Sequence, residues 1–483
     1  MRNKQNNFSG IIALTFLLLM LCYNGVAQKD VNRISKEQKL YELSIVWKEL
    51  SYNFANMDNC PNLDLDSLYR EYIPLIQNTK DDWEYCKMTQ KFLAHFNNGH
   101  TDIYNIPTHL YQYVARPFIK TAYKDNKIII DNLGEFHTKG LQIGDEIVTI
   151  NGVNALDFFN EFYVPYICTS NEKNKIHNAM FNTGPAHLLK KNTKITLGIK
   201  TDKGIKKVNI FADQGLTNKD NSKNENWLVN NLSVSNEYLF AIDTINDFAY
   251  IRLTICNKYF EDFFTEKYPL ISKVGNLIVD ISHNRGGNIT FTNSAVNTLV
   301  NQDTIYRYTI TGKIHNAYAK GYAAMTMLNP SNSNIENYFE QLSLNYYKGN
   351  VFESIRSLID IDDSYYENPA YERNRYKGKI YVITGNNTVS AGEGFAIELS
   401  QGENIMFLGS KTAGAIGNIY PTRLPSGLVF IMNVSKTYDY KNRDISSGFI
   451  PDYEYDFSDF YKTNNPNEIL SKFIGVINGL EKR

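Results

Sequence analysis

The sequence has few cysteines: five among 483 residues, and the first of them, Cys22, lies in an N-terminal leader. It has no Cys-x-x-Cys pair and no cysteine–histidine spacing typical of a zinc site. The residue types therefore indicate no metal site. Cys60 and Cys86 could pair in an oxidising compartment, and buried free thiols are the alternative, which the spacing leaves at least as open.

An excess of charge is also absent, because 50 Lys and Arg residues stand against 51 Asp and Glu residues, for a net charge of −1. This balance gives no electrostatic basis for binding nucleic acid or an anionic membrane. The three tryptophans form no platform for carbohydrate. No long apolar run follows residue 28, so we expect no membrane span in the rest of the chain.

The first residues do contain the pattern of an export signal. A positively charged start precedes the short apolar stretch IIALTFLLLMLC, and small residues follow it. This pattern predicts a signal peptide over residues 1–27, cleaved between Ala27 and Gln28, and hence a periplasmic or secreted protein. A lipoprotein attached through Cys22 and a permanent membrane anchor are the alternatives.

Composition divides the remaining chain into parts of different character. Apolar residues at three- and four-residue spacing predict helices, with N-caps at Asp66 and Thr79. Strand patterns, a polar Asn- and Lys-rich stretch, and alternating strands and helices follow in turn. The predicted bounds are 28–110 for a helical domain, 111–215 for a β domain, 216–236 for a linker, 237–483 for an α/β domain and 313–377 for an insertion within it, a candidate lid.

The string GLQIGDEIVTING, at residues 140–152, distinguishes the β domain. It resembles the core of the PDZ domains found in exported proteases, and a generic β turn is the alternative. The resemblance implies a PDZ-like domain that could bind an extended peptide as an added strand.

Ser390 stands where the apolar run KIYVIT has ended and a helix-like pattern begins. With Ala391, Gly392 and Glu393 it fits the capping box S-x-x-E, in which the serine hydroxyl bonds to its own helix. The same corner exposes a hydroxyl over the positive end of a helix, where a serine can act as a nucleophile if it has a base. From this stretch alone the cap is favoured, and Thr388 at the first glycine position excludes the G-x-S-x-G elbow.

Three further stretches carry chemistry. In NLIVDISHNRGGN a buried strand precedes Gly286 and Gly287, whose backbone N–H groups could hold a developing oxyanion. His100, in FNNGHT, is a candidate base with His283 as its competitor, and Asp444, in RDISSGFIPD, could orient it. The structural alternatives are an ordinary glycine turn, a hydrogen-bonding histidine and a surface aspartate.

Together these four stretches resemble the tail-specific, or C-terminal processing, protease superfamily of serine peptidases. The family's DLRxNxGG strand is similar to residues 280–287, with Ser282 at the usual arginine, and its SASE motif is similar to residues 390–393. One branch of the family pairs the serine with a lysine in a TFGKG stretch. Ala415 stands at that position here, which excludes a Ser-Lys dyad.

The other branch includes the tricorn protease core and the retinoid-binding protein of the photoreceptor matrix. Its GHT-like histidine corresponds to Gly99-His100-Thr101. The tail of this branch carries a glutamate close to the position of Asp444. In this chain the acid lies one residue further from the glycine and is an aspartate. A serine that helps to orient the acid or the histidine also occurs in this branch, and Ser446 is a weak candidate for it.

This resemblance implies a multi-domain α/β fold with an N-terminal helical unit, a PDZ-like β domain and a catalytic core built as a crotonase-like β/α spiral. It implies a nucleophile at Ser390, a base at His100 and an orienting acid at Asp444. The implied oxyanion donors are the amides of Gly286, Gly287 and Ala391.

The implied function is that of an exported serine-type endopeptidase that cleaves peptides or the C-terminal tails of unfolded proteins, with no metal or organic cofactor. The alternative is a non-catalytic protein that binds a peptide or an apolar ligand on the same scaffold. The simultaneous presence of Ser390 and His100 favours the enzyme.

Overall fold

The computed structural model describes residues 32–117, 119–133, 140–171, 175–180, 184–215, 238–302, 304–312, 352–353, 358–360 and 375–481. The predicted signal peptide, the lipoprotein cysteine and the linker lie outside these residues. Most of the predicted insertion also lies outside them.

The N-terminal unit consists of three helices, as the three- and four-residue spacing predicts. They are α1 (Lys36–Asn53), α2 (Leu65–Gln77) and α3 (Asp82–Ala94). Both N-cap predictions are wrong by two residues. Asp64 and Asp81 accept the capping bonds of α2 and α3, whereas Asp66 lies in the first turn of its helix and Thr79 donates to Ile76 at the end of the preceding one.

An antiparallel sheet of eight strands follows. The strands are β2 (Val114–Pro117), β3 (Ile119–Lys124), β4 (Lys127–Leu133), β5 (Glu146–Ile150), β6 (Val153–Asn154), β7 (Leu189–Lys190), β8 (Thr193–Thr201) and β9 (Gly204–Gly215). Their order is β3-β4-β5-β8-β9-β2-β7, and β6 pairs with β5. Helices α4 (Ala155–Phe162) and α5 (Lys175–Ala179) lie between β6 and β7 in the chain. We call residues 114–215 the β module.

The C-terminal part is built on a sheet with the order β10-β11-β12-β17-β18-β22. These strands are β10 (Leu239–Asp243), β11 (Phe248–Arg252), β12 (Asn276–Asp280), β17 (Lys379–Thr384), β18 (Ile405–Gly409) and β22 (Tyr453–Glu454). All neighbours pair in parallel except β10 and β11. The α-helices among the described residues of this part are α6 (Lys258–Ile271), α7 (Asn293–Leu299), α8 (Ala391–Leu399) and α9 (Pro466–Glu481).

Both faces of this sheet are buried, which explains why its strands read as continuous apolar runs. Leu277 and Val279 of β12 pack with α6, α7 and α8 on one face. Ile278 of the same strand packs with α9 on the other. The mixed α/β class is therefore confirmed, whereas the spiral core, the PDZ-like character and the domain bounds stay predictions.

Smaller sheets join distant parts of the chain. The first contains β1 (Asp102–Asn105), β19 (Ile419–Arg423) and β20 (Val429–Asn433), and β1 pairs with β20 so that Asp102 lies opposite Ile431. The others contain β13 (Thr304–Tyr306) with β16 (Leu358–Asp360), and β14 (Thr309–Gly312) between β15 (Phe352–Glu353) and β21 (Ser435–Tyr438). The β1–β20 pairing joins the end of the helical unit to a strand from the C-terminal part of the chain.

In the part of the chain that the structure describes, no helix combines the length and the apolar character that a membrane crossing requires. The four cysteines of this part, Cys60, Cys86, Cys168 and Cys256, are all buried free thiols. The Cys60 thiol donates to the carbonyl of Phe96, and Cys86 lies in the core of the helical unit. Of the two alternatives for Cys60 and Cys86, the structure therefore has the free thiols.

Candidate active site

Parallel pairing of β12 with β17 determines where the two glycines and Ser390 meet. Asp280, the last residue of β12, lies opposite Ile383 near the end of β17. The turns that follow the two strands therefore leave the same edge of the sheet, where open α/β sheets bind their ligands. An added Cβ on Gly286 would lie only 2.7 Å from the Cβ of Ser390, so the turns are in direct contact.

Ser390 occupies the N-cap position of α8 but does not act as a cap. Its side chain makes no capping hydrogen bond, so the capping-box prediction is wrong for the hydroxyl. Its backbone has φ 55° and ψ −119°, a strained combination for a residue with a Cβ. The Ser390 N–H donates to the carbonyl of Ala415 at 2.8 Å. Within the described residues its Oγ has no hydrogen-bond partner, so the hydroxyl is available to a ligand.

Asn284 organises the glycine turn. Its buried side chain accepts from the Gly286 N–H at 2.9 Å and donates to Leu253 O at 2.8 Å. The backbone carbonyl of Asn284 accepts from the Val389 N–H at 2.8 Å, which joins this turn to the segment before Ser390. The sequence reasoning missed this role, although Asn284 stands inside the quoted glycine motif.

Two backbone N–H groups in these turns have no hydrogen-bond acceptor among the described residues. They are the N–H groups of Gly287 and Ala391. The Gly286 N–H, in contrast, already bonds to Asn284. Gly286 has φ 82° and Gly287 has φ 126°, conformations that favour glycine, and a Cβ on Gly287 would meet the Cys256 carbonyl at 2.2 Å. The N–H groups of Gly287 and Ala391 are therefore the two without an acceptor in the turns on either side of this contact.

Ser282, at the position of the family's arginine, is part of a buried polar cluster. Its Oγ donates to Asp280 at 2.6 Å and contacts the Tyr461 hydroxyl at 2.9 Å. Arg252 supplies a cation instead, with Nε 3.2 Å from the Asp280 carboxylate. Burial works to raise the pKa of Asp280, but Arg252 and hydrogen bonds from Ser282 and Tyr250 leave it below its ordinary value. The end of β12 is therefore supported by a buried ion pair.

His100 lies in the turn between α3 and β1. The Asn98 side chain accepts from the His100 N–H at 2.9 Å, and Thr101 bonds to the same oxygen. The ring is buried, with Nδ1 3.1 Å from the carbonyl of Gly417. Because a carbonyl only accepts, Nδ1 carries the proton and Nε2 of the neutral ring has a free lone pair. Burial lowers the pKa of His100 to about 4, despite an opposing effect of the Gly417 carbonyl.

The loop of residues 412–417 connects the histidine to the serine. Ala415 accepts from Ser390, and Gly417 accepts from His100. Gly99 packs against the same loop, since a Cβ on it would lie 2.8 Å from the Cβ of Ala415. No direct hydrogen bond joins Ser390 to His100, two described residues that each contact this loop.

Asp444 does not contact His100. Its carboxylate accepts from the N–H of Ser446 at 2.8 Å and from the Ser446 hydroxyl at 2.6 Å, and its side chain is exposed. Ser446 also accepts from the Asn59 side chain at 2.8 Å. His283, the competing histidine, bonds to Ser282 at 2.9 Å and packs edge-on against Tyr461. The orienting partner of His100 in this structure is a backbone carbonyl.

Two buried carboxyl groups lie on α8. Glu393 accepts from the Thr412 hydroxyl and, at 2.8 Å, from the Gly414 N–H, so it fixes the same loop to the helix. Glu398 lies 3.4 Å from Nε of Arg307, yet neither of its oxygens accepts a hydrogen bond within the described residues. Burial raises the pKa of each group to about 7.

Glu398 should make the protein less stable as pH rises. Its folded pKa, about 7, exceeds the ordinary 4.5, so the folded state binds more protons between these values and the free energy of unfolding falls there. We expect Glu398→Gln to remove about 3 kcal/mol of this fall between pH 5 and pH 8. Urea titrations at both pH values measure it, with exposed Glu403→Gln as the control. An unchanged pH slope in Glu398→Gln would contradict the burial argument.

The comparison with protein families now identifies the core. Residues 247–455 match the family model described as peptidase family S41. This part of the chain is an S41-like serine peptidase domain. The match includes both turns of the candidate site and Ser390. His100 lies outside it.

Solved structures resemble this chain over most of its length. Mature CPAF complexed with lactacystin has 14% identity and a TM-score of 0.68, with 92% of this chain and 99% of that chain covered. Mature CPAF alone has 14% identity and a TM-score of 0.68, with 92% of this chain and 98% of that chain covered. The photosystem II D1 C-terminal processing protease has 14% identity and a TM-score of 0.45, with 90% of this chain and 96% of that chain covered. Among curated proteins, the comparison returned no match.

Proposed function

We propose that this peptidase is an exported endopeptidase that cleaves peptides or the C-terminal tails of unfolded proteins through an acyl-enzyme on Ser390. The observation that carries the proposal is the strained Ser390 corner. Its hydroxyl has no partner among the described residues, and the N–H groups of Gly287 and Ala391, in the two turns that meet there, have no acceptor among them either. Export rests on the leader pattern at residues 1–27, and the substrate class rests on the family resemblance.

In the proposed mechanism, Nε2 of His100 takes the proton of Ser390 Oγ as the oxygen attacks the scissile carbonyl. The N–H groups of Gly287 and Ala391 stabilise the oxyanion, while Gly286 supports the turn by bonding to Asn284. The protonated histidine then protonates the leaving amine, and a water molecule releases the acyl group by the same path in reverse. The missing Ser390–His100 bond fits a free site, because such bonds often form only when substrate binds.

The tautomer of His100 supports its role as base. The Gly417 carbonyl holds the proton on Nδ1, which leaves Nε2 to accept. A low pKa keeps the ring neutral at physiological pH, although it lowers the basicity of Nε2. His100 is therefore fully in its neutral form at physiological pH, but it is a weaker base than an ordinary histidine.

The proposal is tested by labelling the chain from Gln28 to Arg483 with a fluorophosphonate and mapping the label by mass spectrometry. We expect one label per chain, on Ser390. Ser400 and Ser410 lie in the same tryptic peptide and should not be labelled. Cleavage of unstructured peptides should be lost in the labelled protein. A folded chain that neither labels nor cleaves any peptide would favour the binding-protein alternative.

Asp444 is the third group of the proposed site, in a supporting role. Its carboxylate bonds to Ser446, while a carbonyl orients His100, so we expect Asp444→Ala to lower the labelling rate by less than about tenfold. Labelling kinetics beside exposed Asp456→Ala measure the effect. A loss as large as that of His100→Ala would mean that Asp444 reaches the imidazole during catalysis.

A further inference from the structure

We propose that Ser170, in the β module, is a positioning residue for His100. This inference deepens the proposed function and rests on it for the role of the histidine. Ser170 Oγ accepts from the Gly99 N–H at 3.1 Å and donates to the Gly414 carbonyl at 2.5 Å. One hydroxyl thus joins the turn that carries the imidazole to the loop that orients it.

Both segments joined by Ser170 determine where the imidazole points. The turn carries the ring through Gly99 and His100, and the loop supplies the Gly417 carbonyl that holds the Nδ1 proton. The loop also accepts from the Ser390 N–H through Ala415. The spacing of turn and loop therefore sets the position of Nε2 relative to the serine, and Ser170 bridges that spacing.

The surroundings of Ser170 hold its hydroxyl in place. Thr169 and Asn171 on either side are buried, and the Thr169 hydroxyl accepts from the Asn171 N–H at 3.3 Å. Lys175, five residues later, donates to the Asn97 side chain at 3.3 Å in the turn that carries His100. The β module thus contacts this turn at two points.

The bonding of Ser170 assigns it positioning rather than catalysis. Its single proton goes to Gly414, and its oxygen already accepts from Gly99, so no proton remains for a substrate. The charged groups along these contacts are Lys175, bonded to Asn97, and Glu393, bonded to Gly414. Neither bonds to the ring of His100.

Ser170→Ala in the chain from Gln28 to Arg483 tests the role. We expect kcat for a fluorogenic peptide to fall about tenfold with KM within about twofold, because a small displacement of the base slows the chemical step. The acid limb of the pH profile should shift upward, since a looser turn admits water to the ring. Ser170→Thr keeps the hydroxyl and should restore both properties.

The control is Ser272→Ala. Its hydroxyl also donates to a backbone carbonyl, that of Pro269 at 3.3 Å, but it precedes β12, at the other end of the strand from the site. It should change neither kcat nor the acid limb. An unchanged kcat in Ser170→Ala would overturn the proposal. So would an equal loss of kcat in Ser170→Ala and Ser170→Thr if the acid limb of the pH profile did not shift in either variant.

A readout independent of activity separates this proposal from the proposed function. The imidazole of His100 can be titrated by NMR, with His100→Gln to assign its signal among the eight histidines. Ser170→Ala should raise the pKa of that ring, and Ser170→Thr should leave it near the wild-type value. If the wild type neither labels nor cleaves, the proposed function fails, and an unchanged titration in Ser170→Ala would still reject the link between Ser170 and His100.

Discussion

Replacing Ser390 with alanine should abolish fluorophosphonate labelling and lower peptide hydrolysis by on the order of 10⁶-fold. The variant loses the hydroxyl that forms the acyl-enzyme in the proposed mechanism. The unused N–H groups of Gly287 and Ala391 remain, and they should leave a residual rate about 10³–10⁴-fold above that of water. Folding should be preserved, because the hydroxyl makes no hydrogen bond within the described residues.

Ser400→Ala on the same helix is the matched control. Its hydroxyl donates to Ile397 O at 2.7 Å and lies at the opposite end of α8. Active-site titration and hydrolysis assays on both variants, with circular dichroism to verify folding, make the comparison. Persistent labelling of Ser390→Ala would remove Ser390 from the mechanism and return the corner to a structural role.

Replacing His100 with alanine should lower kcat/KM by about 10²–10⁴-fold, the usual contribution of a general base. The wild-type profile should also have an unusual acid limb. Because burial lowers the pKa of His100 to about 4, the ring stays neutral at pH 5.5, where an ordinary histidine is mostly protonated. Activity should therefore fall only as pH approaches 4, and kcat/KM measured from pH 3.5 to 9 tests this.

His177→Ala serves as the control for the histidine substitution. That ring packs edge-on against Tyr123 in the β module and lies outside the site. It should leave kcat/KM and the acid limb unchanged. An acid limb near pH 6.5 in the wild type would mean that the ring of His100 is hydrated in solution, and normal activity of His100→Ala would reject it as the base.

The sequence was most informative where a structure depends on local pattern. The runs GNLIVDI and KIYVIT contain β12 and β17, because a strand buried on both faces carries apolar side chains at its central residues. Helix caps were less accurate. In LDLDS two aspartates could each cap α2, and only the folded backbone selects Asp64.

In the candidate site, several residue roles could be proposed from the sequence, whereas contacts made through backbone groups could not. Ser390, His100 and the glycines could be proposed from the sequence because their residue types carry the chemistry. The Gly417 carbonyl was not, since every residue has one and the contact spans 317 positions. Ser170 was hidden for a related reason, because it bonds only to backbone groups of two distant segments. Asn284 had a sequence signal in its glycine motif, but its buried bonds needed the structure.

The pairing of β1 with β20 has a consequence for how the protein is made. Asp102 lies opposite Ile431, so the strand that follows the histidine lacks its partner among the described strands until β20 has left the ribosome. Such distant pairing is slow and exposes an unpaired strand edge in the meantime. The site is therefore completed only after β20 has been synthesised. A shortened translation product that lacks β20 contains the histidine and the serine, but not the strand pairing that holds them together.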